Sequence, residues 1–171
     1  MNRRDLLKLT TTLAAAPVGL TAQESARPAS EPNWTPAVLD EHQNATVVVL
    51  SDLIIPATDT PGAKAAQVNR YVDLLLRDGP DEQREQFLSG LGWLDGYSRR
   101  RFQHAFVACA REHQIELLED LAAGGTEDIA PGHRFFNLAK RLIASIYYNT
   151  EIGYAELNKG NRVPDTFACG A

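Results

Sequence analysis

The clearest pattern along the chain is a stripe of Phe135, Leu138, Ala139, Leu142, Ile143, Ile146 and Tyr147, with Lys140 and Arg141 opposite. A repeat of three to four residues places those side chains on one face of an α-helix. Val68, Tyr71, Val72, Leu75 and Leu76 repeat in the same way until Gly79-Pro80 stops them. A further helix is predicted from Asp81, where acidic residues favour the positive end of the helix dipole. Phe87, Leu88, Leu91, Leu94 and Phe102 form its apolar side, and Ile115, Leu117, Leu118 and Leu121 mark a shorter one closing at Gly124-Gly125.

The first helix is harder to place. Thr35 followed by Pro36 reads as an N-cap and a proline at the first helical position, so this helix is expected from Pro36 towards Ile55. Pro56 must end it. Val47, Val48, Val49 and Leu50 also fit a short buried strand, which periodicity does not separate from helix. Thr58-Asp59-Thr60-Pro61-Gly62 is a turn by composition. A last helical turn is expected over Glu151–Leu157, followed by loop from Gly160. No stretch alternates with a period of two. The expectation is an all-α fold, a small irregular bundle of about five helices over residues 36–158, with an extended C-terminal tail at 159–171.

The N-terminus follows different rules. Arg3, Arg4, Leu6, Leu7 and Lys8 precede an uncharged run of Leu, Thr, Ala, Val and Gly that lasts to Ala22. A charged start, a short apolar core and a small-residue exit make residues 1–22 an export signal. The adjacent arginines make it a signal of the twin-arginine type, read by the twin-arginine translocase. Asn2 and Leu6 stand where Ser or Thr, and Phe, are more usual. The run is too short and too rich in threonine to span a bilayer. Residues 23–35, polar and proline-bearing, read as a linker.

Charge narrows the range of partners. Of 17 basic and 22 acidic side chains, residues 1–22 hold three and one, which leaves 14 against 21 in the exported part, a net of −7. An acidic body argues against nucleic acid and anionic lipid. The remaining length suits one domain with its own core.

The search for catalytic chemistry finds little. Gly90, Gly92 and Gly96 lie within a helical pattern, whereas a dinucleotide loop needs a strand before it and a helix after it. Close helix packing or a local break is the expected use of these glycines. His104, Cys109 and His113 could offer metal ligands, but structural zinc takes four and no second pair stands nearby. His42 and His133 are scattered. No haem-attachment motif, iron–sulfur cysteine group, nucleophile elbow or triad is present. No catalytic, cofactor-binding or metal residue is therefore assigned to this chain. Cys109, among Phe106, Val107 and Ala108, reads as a small core residue. Cys169 in the tail is the better candidate for a disulfide, to a partner chain or internally, with a free thiol as the alternative.

A twin-arginine signal carries proteins that are already folded, yet no cofactor site is visible. One resolution is that the cofactor belongs to a partner that leaves on this signal. Three segments give that idea a family. Asp52-Leu53-Ile54-Ile55-Pro56-Ala57-Thr58-Asp59-Thr60-Pro61-Gly62-Ala63-Lys64-Ala65-Ala66 resembles the gluconate 2-dehydrogenase subunit 3 family. So do Tyr147-Tyr148-Asn149-Thr150-Glu151-Ile152-Gly153-Tyr154-Ala155-Glu156-Leu157 and the tail Val163-Pro164-Asp165-Thr166-Phe167-Ala168-Cys169.

The resemblance implies a non-catalytic small subunit that escorts and helps mature a large flavoprotein, with FAD in that partner. The partner would be a dehydrogenase of the glucose–methanol–choline type, acting on a sugar, sugar acid or alcohol. A multihaem cytochrome c, with haem c, often completes such complexes as a third subunit, and the resemblance implies a periplasmic complex associated with the membrane. The partner-facing surface is expected to include Pro56, Thr60, Pro61, Gly62, Tyr147, Tyr148 and Tyr154, since tyrosine buries area while keeping a polar contact. The same tyrosines could instead complete the core of the last long helix. The competing readings are a stand-alone periplasmic domain, enzymatic or metal-binding through His104, Cys109 and His113, and a helical adaptor with no redox partner.

Overall fold

The computed structural model describes residues 34–159. Among them are six α-helices and a single 3₁₀ turn: α1 Glu41–Ile54, α2 Val68–Asp78, α3 Asp81–Phe102, α4 Arg111–Ala123, α5 Ala130–Tyr148 and α6 Glu151–Leu157, with the turn at Phe106–Ala108. No strand occurs among the described residues, so Val47 to Leu50 are helical, and Val47 and Leu50 are fully buried. The fold is an all-α bundle.

The long stripe seen in the sequence explains the architecture. Phe135, Phe136, Ala139, Ile143, Ile146 and Tyr147 of α5 are buried, and α5 packs against each of the other five α-helices. Burying a large apolar side chain contributes about 1.5–3 kcal/mol. One helix with such a stripe is therefore enough to gather the others around it. Phe87 of α3 meets Phe135 edge to face, their ring centroids 5.6 Å apart, the preferred arrangement for aromatic pairs. Arg101 joins Glu116 and Asp120, tying the end of α3 to α4.

Helix α1 starts later than Thr35-Pro36 implies. Its N-cap is Asp40, whose carboxylate accepts from the Gln43 N–H at 2.7 Å while the Gln43 side chain accepts from the Asp40 N–H at 3.0 Å. This reciprocal capping box is a stronger start than Thr35 offers. The preceding segment cannot join the helix because its donors are engaged elsewhere. The N–H groups of Ala37, Val38 and Leu39 donate to the carboxylate of Asp73 at 2.7, 3.0 and 2.9 Å. Asp73 is buried on the inner side of α2, and three backbone donors replace the water that a buried charge needs. Trp34 lies under the guanidinium of Arg70, one turn earlier on α2. Residues 34–39 thus run along α2 as a docked strap.

The three glycines of α3 have different surroundings. A Cβ on Gly90 would lie 2.0 Å from the Phe135 ring, whereas one on Gly92 would meet nothing within 4 Å, and one on Gly96 would touch only the end of Arg100. Only Gly90 permits close helix packing. Gly90→Ala is therefore expected to destabilise the fold by about 1–3 kcal/mol through overpacking. Gly92→Ala should be neutral or stabilise by up to about 1 kcal/mol, the helix-propensity gain. Urea denaturation of the two variants tests the contrast; equal effects would contradict it.

Candidate functional site

The loop after α1 and the last helix are far apart in sequence, and one side chain joins them. Tyr147, at the end of α5, is fully buried. Its hydroxyl is 2.6 Å from the Pro61 carbonyl oxygen and 2.6 Å from Glu156 Oε2 on α6. A phenol carries one proton, so the carbonyl and the carboxylate share it as acceptors. The loop is closed independently of this contact. The N–H of Ala63 donates to the Ile55 carbonyl at 2.9 Å, and that of Thr58 donates to Thr60 at 3.0 Å. A Cβ on Gly62 would sit 2.5 Å from the Ala57 nitrogen and 2.6 Å from the Ile55 oxygen. Glycine is required there by the close approach of the backbone.

Helix α6 is placed by the same corner. Thr150 caps it, accepting from the Gly153 N–H at 3.2 Å, while its own hydroxyl donates to the Tyr147 carbonyl at 2.6 Å. Lys159, just past α6, pairs with Asp59 of the loop at 3.5 Å. The Thr58 hydroxyl, followed by the Lys159 charge, holds the Asp59 carboxyl below its ordinary range. Burial, followed by the neighbouring Glu156, pushes the Tyr147 phenol up to about 12. Both effects raise the proton affinity, since each disfavours the phenolate.

The residues expected to face a partner fall into two groups. Tyr147 completes the core, and Gly62 is buried beneath the loop. Pro56 and Pro61 are exposed and Thr60 is half-buried. Tyr148 and Tyr154 are 39% and 48% exposed, and Leu157 beside them is 47% exposed. The outward face of this corner is thus a turn bearing two prolines, two tyrosines and a leucine. The Tyr148 ring packs edge to face on Tyr147, 5.2 Å between centroids. One tyrosine serves the core and orients its neighbour outward.

The other sequence candidates do not assemble. Cys109 is buried with a free thiol, 3.1 Å from the Ser98 hydroxyl, and its only approach to His104 is to that residue's carbonyl oxygen at 3.8 Å. The His113 ring stacks on Phe102 at 4.4 Å. Among the described residues no group of three or more His, Cys, Asp or Glu is placed to hold a metal ion, and no helix is long and apolar enough to cross a membrane. Arg3, Arg4, Leu6, Leu7, Lys8 and Cys169 lie outside the described residues.

Sequence reasoning passed over two buried carboxylates. One is Asp73; the other is Asp95 on α3, which accepts from the Phe106 N–H at 3.0 Å and pairs with His42 of α1. Each stands beside buried apolar positions, next to Val72 and Leu94 respectively. An acid on the apolar face of a helix was the available signal.

With Pro61, Tyr147 and Glu156 joined, the first two family-like segments occupy one corner of the molecule. A model of the family described as gluconate 2-dehydrogenase subunit 3 matches residues 41–163, from the first residue of α1 to beyond α6. The chain belongs to that family. No curated protein and no solved structure matches it. Within this family member, the corner around Tyr147 is where the recognisable sequence and two exposed tyrosines, Tyr148 and Tyr154, coincide.

Tyr147→Phe removes the shared proton and leaves Pro61 and Glu156 without it, at an expected cost of about 1–3 kcal/mol. The raised phenol gives a pH test. From its ordinary value of 10.0 to about 12, the folded state keeps a proton that the unfolded chain has lost. The associated stability is complete below about pH 10 and disappears as pH rises towards 12. The stability gap between the wild type and Tyr147→Phe should therefore narrow across that window, followed by urea denaturation at stepped pH. A constant gap would overturn this account.

Proposed function

We propose that the chain is the non-catalytic small subunit of an exported FAD-dependent dehydrogenase of the glucose–methanol–choline type. It acts as a twin-arginine export escort and maturation partner for the large flavoprotein. FAD resides in that partner, whose substrate is a sugar, sugar acid or alcohol, and a multihaem cytochrome c forms a third subunit. The complex lies in the periplasm and is held at the membrane through its other subunits.

The observation that carries this reading is the convergence of Pro61, Tyr147 and Glu156. The segments that carry the family likeness are joined there by one buried phenol. A corner that presents Tyr148 and Tyr154 outward has the character of a docking surface. The export half of the reading rests on Arg3, Arg4, Leu6, Leu7 and Lys8, and the family membership supports an oxidoreductase complex as the setting.

Replacing Arg3 and Arg4 together with lysine should leave both this chain and the flavoprotein in the cytoplasm. Cell fractionation with a dehydrogenase assay reads the outcome, and normal periplasmic activity in the double variant would sink the escort role. Tyr148→Ala and Tyr154→Ala should each weaken association with the flavoprotein by more than about 1 kcal/mol if they are anchors. Unchanged affinity, measured by titration of the purified subunits, removes this corner as the interface. Cys169 is proposed to link the chain covalently to the flavoprotein. Non-reducing electrophoresis should then give a band at the summed mass that is lost with reductant and with Cys169→Ser; separate bands throughout count against it.

A further inference from the structure

α3 and α5 leave between them a groove of about 930 Å³. Trp93 and Leu138, both half-buried, supply its apolar surface, and Ser89 and Asn137 lie along its sides. Its charged lining is entirely basic: Arg134, Lys140 and Arg141, with His133 beside them and no Asp or Glu. In a chain of net charge −5 this is a local reversal of sign. The His133 ring is already engaged, with Nδ1 donating to the Leu121 carbonyl at 2.7 Å and Nε2 accepting from Asn137 at 2.9 Å. The other three cations are exposed, and none takes part in an ion pair among the described residues.

We propose that this groove docks an acidic, extended segment of a protein partner, with an apolar side chain set between two carboxylates. Charge complementarity selects the acid. Spacing selects a peptide over a small anion. Arg134 and Arg141 are seven residues apart on α5, so their backbone positions lie about 10 Å apart along the helix, a row that an extended segment carrying two carboxylates follows. Three residues of extended chain cover about the same distance. Leu138, at the edge of the apolar stripe, lines the groove with both arginines, so Arg141 stands beside it and not opposite, and the apolar side chain would rest against Leu138 and Trp93. A flat anionic surface would meet the exposed cations but leave Trp93 untouched. The proposal is separate from the export role and from the Tyr148–Tyr154 corner.

The test places a photo-reactive benzophenone amino acid at Ser89 of the full chain, expressed in the cells that naturally make it. Irradiation is followed by mass spectrometry of the adducts, with the same probe at exposed Glu119 of α4 as the control position. The expected result is an adduct to an acidic stretch of another protein. Its yield should fall at least fivefold in Arg134→Glu/Arg141→Glu and be retained in Arg111→Glu. If the reversed variant loses its thermal transition, the milder Arg134→Gln/Arg141→Gln replaces it. Absence of an adduct above the control overturns the proposal. So does an adduct to lipid, nucleic acid, a second copy or the chain itself, or a protein adduct indifferent to the charge changes.

Discussion

The apolar stripe of α5 can leave water only if other helices surround it, and every other α-helix of the described residues takes part. That requirement sets the rest. α3 approaches closely because Gly90 lets the Phe135 ring lie against its backbone. α6 folds back at Thr150 and is held to the end of the stripe. α1 and α2 cover the remaining side, joined by the side-chain amides of Asn44 and Asn69 at 2.9 Å.

Polar joints then decide what burial leaves open. Hydrophobic association is not directional, so it does not determine how a loop closes or where a helix begins. In this bundle those choices fall to single polar side chains deep in the fold. Asp73 positions the chain ahead of α1, Asp95 and Gln114 satisfy the Phe106 backbone, and Tyr147 fixes the loop after α1 to α6. Each serves groups distant in sequence, which makes it costly to remove and hard to replace.

This division also explains what could be read from sequence. Period and punctuation are local, so α2, α3, α4, α5 and α6 were legible, as was the turn before Gly62. The start of α1 was not, because the acceptor that withholds Ala37, Val38 and Leu39 from a helix is Asp73, more than thirty residues away. The outward face of α2 was misjudged for a related reason. Tyr71 and Leu75 repeat with the apolar stripe yet remain 47% and 46% exposed, since Asp73 and Val72 occupy the inner side. The tyrosines of the candidate site were identified as a group, but only their packing distinguishes Tyr147 in the core from Tyr148 and Tyr154 outside. The family likeness was legible because it lies in continuous segments.

The strap over α2 has a mechanical consequence. Tension on the chain ahead of Trp34 reaches the Arg70 stack and the three Asp73 bonds before it reaches α1. Those bonds act as a strain relief, like the clamp on a cable where it enters a housing. Pulling on the chain ahead of residue 34 would load α2, which is already anchored in the bundle, and the first turn of α1 would stay wound until the clamp gave way. The clamp is made by residues 34–39 themselves, so a cut upstream of the strap leaves its bonds in place.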